Sequence, residues 1–335
     1  MKNKLVIIAG LLILTAFTWT KHHYWPKYFP EPVQEKLQTT YTSEMRELGR
    51  QLFYDPILSA DSSISCASCH NPYTAFAHTD HALSHGIGDS IGKRNAPALF
   101  NLAWQSSFML DGAINHIEVQ ALAPITAKNE MAETLEHVLL KINRLERYKP
   151  YLPKHYPTEA INSSLFLKSL AAFVLSLNSF ESKYDSVKRH LSQFTVQEAK
   201  GYDKFKQYCN TCHVEPLFTN NTFQYNGLPI VPNRQDLGHY AISLNPKDSF
   251  AFKVPSLRNI SYTYPYMHDG RLHNLQEVLK HYASGHARVS MNNQMLTSGF
   301  PLSANDQLDV IAFLKTLNDL KFILNKNNQF PLNKG

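Results

Sequence analysis

The sequence predicts an all-α protein of two domains, and three observations predict it. Apolar residues recur at helical spacing along most of the chain, strand-like alternation is scarce, and the pattern Cys-x-x-Cys-His occurs once in each half. The 335 residues are 43% hydrophobic and 18% charged, which suffices for two packed cores and excludes a disordered chain. The net charge of +6 comes from scattered Lys and Arg with no basic stripe, so a nucleic-acid partner is not expected.

The elements follow in order. Lys2 and Lys4 precede an apolar run from Leu5 to about Trp19, read as a targeting segment over 1–20. The run is short for a full membrane span, and no small-residue cleavage site follows it. It therefore reads as a signal peptide or a retained inner-membrane anchor, with the body in the periplasm. "SEMRELGRQLFYD" (43–55) has a Ser cap and Met45, Leu48 and Leu52 on one helical face. "SSLFLKSLAAFVLSL" (163–177) is apolar nearly all round and predicts a buried helix. "TVQEAKGYDKFKQYCNTCH" opens with the capping pair Thr195 and Glu198 and turns Ala199, Tyr202 and Phe205 inward. Segments 274–283 and 303–317 also begin with cap signals, and loops fill 84–97, 216–238 and 245–265. The polar stretch 180–194 divides a domain over 40–185 from one over 190–325.

Cys66-Ala-Ser-Cys69-His70 and Cys209-Asn-Thr-Cys212-His213 hold all four cysteines. Zinc would need both pairs in one tetrahedral site, although they lie in different halves. A redox dithiol would need a βαβ context, whereas the flanks are helical. Haem c accounts for the histidine as well: each cysteine forms a thioether and the adjacent imidazole ligates iron. Two covalent haems c are expected, each wrapped by a cytochrome c-like helical domain.

Longer stretches go further. "LGRQLFYDPILSADSSISCASCHNP", "GKRNAPALFNLAW", "DGAINHIEVQALAPITAKNEM", "VPSLRNI" and "YPYMHDGRLHNLQEVLKHY" resemble the bacterial di-haem cytochrome c peroxidase family, which includes the MauG enzymes. The resemblance spans roughly 43–318. It implies peroxide reduction at the N-terminal haem, with the C-terminal haem taking electrons from a small cytochrome c or copper protein. It maps the distal Gln and Glu of the family onto Gln120 and Glu130; the alternative for Glu130 is a helix-opening carboxylate. A histidine that closes the first iron's sixth site maps onto His85, with His78 and His81 as competitors. The second iron's sixth ligand, methionine in the standard peroxidases and tyrosine in MauG, maps onto Tyr282, with Met291, Met295, His281 and His286 as rivals. A tyrosinate would lower that haem's potential. The family calcium site maps onto Asn95, Thr263 and Pro265. One departure stands out: where the family has an interhaem tryptophan, this chain has Leu110, which cannot relay electrons. Trp104 is either a detour or a core residue. The rival readings are a MauG-like enzyme that oxidises a partner protein and a di-haem electron carrier without enzymatic activity. Family peroxidases are often homodimers, but nothing in the sequence marks an interface.

Overall fold

The computed structural model describes residues 24–154, 160–231, 235–285 and 298–331. The leader at 1–20 lies outside them, as do Met291, Met295 and His286. Among the described residues no helix is long and apolar enough to cross a membrane.

Two helix pairs build the molecule. Ser43–Phe53 packs on Ser163–Ser176 in the first half, and Val196–Tyr208 packs on Ala304–Lys315 in the second. Each pair touches backbone to backbone at a glycine. A Cβ on Gly49 would lie 1.8 Å from Ser169 O, and one on Gly201 would lie 1.9 Å from Asp309 O. The expected caps hold with one change. Thr42, not Ser43, caps the first helix, accepting from Met45 N, and Ser43 is its first helical residue. Thr195 and Glu198 form the expected capping box. Among the described residues, strand is confined to Phe223–Gln224 paired antiparallel with Phe252–Lys253.

The first core runs from Trp25 to Leu177 and also takes in Phe322 and Ile323; the second runs from Tyr184 to Leu317. The stretch 180–194 is thus not a free linker. It forms a helix, Lys183–Lys188, whose Tyr184 and Asp185 are fully buried.

Two stretches of the first half recur in register in the second. "NAPALFNL" (95–102) matches "KVPSLRNI" (253–260), and "FMLDGAI" (108–114) matches "YMHDGRL" (266–272). Asn101 and Asn259 both have positive φ, and their backbone N–H groups donate to Leu177 O and Leu317 O. Met109 and Met267 share a positive φ and sit in turns closed by the bridges Phe108–Ile114 and Tyr266–Leu272.

Candidate haem sites

Each Cys-x-x-Cys-His follows the first helix of its pair, and in each the histidine is fixed from behind. His70 Nδ1 donates to Phe76 O at 2.9 Å, with Pro97 O beside it. His213 Nδ1 donates to Phe218 O at 3.2 Å and Pro255 O at 3.1 Å. Phe76 and Phe218 both adopt a left-handed φ (+59° and +56°), unusual for a bulky residue, and this turns their carbonyls onto the rings. A backbone carbonyl on Nδ1 fixes the tautomer that leaves Nε2 as a metal ligand. Burial lowers both imidazoles to about 4, so both stay neutral at physiological pH. Burial also raises the Cys66 and Cys209 thiols to about 12.

This donor set fits haem c. It offers two sheltered sulfurs and one neutral, oriented imidazole per half. His78 adds a buried Nδ1 with no hydrogen-bond partner among the described residues, in electrostatic contact with His70, which suits a polar edge of a bound group.

Around the first motif the structure gathers several of the expected residues. His85 O lies 3.7 Å from Cys69 Sγ, and the His85 ring stacks on His81 at 4.3 Å and pairs through Nδ1 with Asp89 at 2.7 Å. Gly86 lets this loop lie against the backbone of residues 129 and 130, where Ile87 N donates to Glu130 O at 2.8 Å. Glu130 is half-buried and close enough to Cys69 to raise its thiol further; burial alone pushes the Glu130 carboxyl above the usual range. It does not open a helix: the next helix is Leu135–Asn143, capped by Thr134, and Glu130 sits in the turn before it. Gln120 ends the short helix Ile117–Gln120, and its Nε2 reaches Met109 Sδ at 3.7 Å.

Around the second motif, Tyr282 feels both Cys209 and Cys212 and bonds to the Asn226 side chain; burial is the main cause that lifts its phenol to about 12. Its ring stacks on Phe300, which stacks in turn on Tyr208. His281 instead turns its Nε2 to Asn226 O.

Asn95 is buried against the second half: its backbone N–H donates to His268 O at 2.8 Å and its side-chain amide to Ala82 O at 3.0 Å. Half-buried Thr263 and buried Pro265 precede that turn. Leu110 O accepts from Lys253 N at 2.8 Å. Trp104 packs against Trp25 and Phe29 and donates from Nε1 to Pro30 O, so it is a core residue. Sequence reasoning missed the carbonyls of Phe76, Pro97, Phe218 and Pro255. Aligning "NAPALFNL" with "KVPSLRNI" would have exposed the two prolines.

A duplicated helical scaffold with one buried, carbonyl-oriented Cys-x-x-Cys-His per half defines a di-haem c-type protein. The comparisons narrow the class. The family model described as di-haem cytochrome c peroxidase matches residues 43–193. The chain is 32% identical over 323 residues to the methylamine utilization protein MauG of Methylophilus methylotrophus, covering 93% of this chain and 94% of that one. It is 30% identical to the cytochrome c551 peroxidase of Nitrosomonas europaea, over 86% of this chain and 84% of the relative. A solved MauG-like protein associated with microbial copper homeostasis superposes with a TM-score of 0.81 at 28% identity, covering 94% of this chain and 99% of its own. The protein belongs to the di-haem cytochrome c peroxidase family, which includes MauG, and the family implies two haems c.

Proposed function

We propose that the protein is an exported peroxidase that reduces hydrogen peroxide to two waters, consuming two protons and two electrons from a small cytochrome c or copper protein. Cys66, Cys69 and His70 would hold the haem whose iron offers O–O cleavage chemistry, and Cys209, Cys212 and His213 would hold the haem that passes on electrons. Glu130 carries the reading. Its carboxylate takes a proton from one peroxide oxygen and returns it to the other, and burial has already raised its proton affinity for that task. Gln120 orients peroxide. His85 gates the first site from its loop, and Tyr282 closes the second. Asn95, Thr263 and Pro265 hold a calcium ion through hard oxygens where the halves meet. The division at 180–194, the 1–20 leader and a periplasmic location belong to the same reading.

The test is peroxide-dependent oxidation of a reduced cytochrome c by the purified holoprotein, with EPR of the oxidised and half-reduced states. A high-spin haem and turnover that falls at least about 100-fold in Glu130→Gln are expected. Two low-spin haems in every state and no turnover would return the carrier reading. The second reading, a MauG-like enzyme oxidising a partner protein, is favoured by Tyr282 beside Cys209 and Cys212 and opposed by Leu110.

A further inference from the structure

The two halves are built alike but differ in what stands behind each histidine. In the first half, Phe100 meets Phe322 at 6.0 Å, and Phe322 meets Phe76, whose carbonyl holds His70, at 5.9 Å. The side chains of this backing are aromatic rings, and the buried Asp319 carboxylate accepts from Phe322 N at 2.9 Å. In the second half the repeat places Arg258 where the first has Phe100, and Arg258 is fully buried.

Arg258 is fully engaged. Nη1 and Nη2 grip the two oxygens of Asp185, itself fully buried, at 2.9 and 2.8 Å. Nε donates to Pro216 O at 2.9 Å, and the guanidinium carbon lies 5.6 Å from the centre of the Phe218 ring. Ser256 Oγ donates to Leu217 O at 2.6 Å, and Phe218 O accepts from His213. All three carbonyls of the 216–218 turn are therefore held, and the middle of that network is a guanidinium where the repeat has the Phe100 ring.

We propose that Arg258, paired with Asp185, is a positioning residue that sets the reduction potential of the His213 haem apart from that of the His70 haem. It does so through the 216–218 turn and through its own buried field. The inference rests on both motifs binding haem, as in the function proposed above. A buried charge acts through low dielectric and keeps its sign at a nearby redox centre. Taking away the cation while Asp185 remains leaves a net negative charge that favours ferric iron. Taking away the anion leaves a net positive charge that favours ferrous iron.

The experiment is a spectroelectrochemical titration of both haems in the full holoprotein, comparing wild type with Arg258→Met, Asp185→Asn and Arg258→Lys. Arg258→Met is expected to lower the midpoint of the His213 haem and Asp185→Asn to raise it. Each shift should approach a tenfold change in the reduction equilibrium, about 59 mV for one electron, while the His70 haem stays in place. Arg258→Lys keeps the charge and should fall between wild type and Arg258→Met. Shifts of the same sign in the two charge-removing variants, or equal shifts in both haems, would overturn the assignment. If Arg258→Met does not fold, the isosteric Asp185→Asn decides alone: a rise confined to the His213 haem supports the inference, and no rise sinks it. Mass spectrometry of the wild type separates the two failures. Fewer than two covalent haems overturns the underlying reading; two haems without the opposed shifts overturn only this one.

Discussion

Single residues do the chemistry here through their surroundings. The Glu130 carboxyl is raised by burial alone. The folded state therefore favours its protonated form, and the contribution to stability is complete below the unfolded pKa and lost as the pH rises through the folded one. Two results follow. The acid limb of kcat/KM should lie above the usual carboxylate range and disappear in Glu130→Gln. That variant should melt no lower than wild type at pH 7, so that its lost turnover cannot be put down to unfolding. Tyr282 is shifted in the same sense but would have to act as an anion. Burial lifts its phenol to about 12, so only a competing cation such as ferric iron would hold it as a tyrosinate at neutral pH. If it ligates the second haem, Tyr282→Phe should convert that haem from low-spin to high-spin in the EPR spectrum and raise its potential. An unchanged spectrum would send the search to the segment that holds Met291 and Met295.

At the scale of elements, each helix pair depends on one glycine. An added methyl at Gly49 or Gly201 meets backbone oxygen at under 2 Å, which no rotamer change relieves. Gly49→Ala and Gly201→Ala should each cost about 3 kcal/mol or more, read as a fall in Tm and in covalent haem per chain. The duplication predicts similar losses for the two. The helices themselves were legible in sequence because their apolar faces and caps are local signals: Thr195 with Glu198, Asn274 and Ser303 all cap as their spacing implies. Gly201 was not legible, because a glycine inside a helix looks like a weak position until its partner helix is placed against it. The motif cysteines and histidines were fully legible. The Phe76 and Phe218 carbonyls that orient those histidines were not, since a left-handed φ on phenylalanine runs against local preference and is imposed by tertiary structure.

Across the whole molecule, the halves are joined by a reciprocal exchange. Asn95 N donates to His268 O and Lys253 N to Leu110 O, both at 2.8 Å, and in the repeat Asn95 corresponds to Lys253 and Leu110 to His268. The junction thus has near two-fold backbone symmetry with different side chains, and neither the pairing nor its chemistry could be read from one sequence without the repeat in register. On one side stands the amide of Asn95. On the other, Lys253 extends its ammonium between Gln105 Oε1 at 2.9 Å and Ser107 O at 2.5 Å. Among the described residues no carboxylate pairs with this ammonium; Asp111 opposes its shift only through space and is engaged, like Asp236, by Arg94. Burial is accordingly the dominant influence on Lys253 and lowers it from the usual 10.5 to about 8. Because the folded pKa is depressed, the unfolded chain binds the proton more tightly between these values, and stability rises with pH across that window. The contribution is complete above 10.5 and is lost as the pH falls through about 8. A full shift of that size corresponds to about 3 kcal/mol. Lys253→Met removes the titration, so the melting temperature of wild type relative to Lys253→Met should climb steadily between pH 8 and pH 10 and be flat below pH 7. A constant difference across the whole range would mean that the ammonium keeps its proton in the junction, held by Gln105 and Ser107 well enough to offset its desolvation.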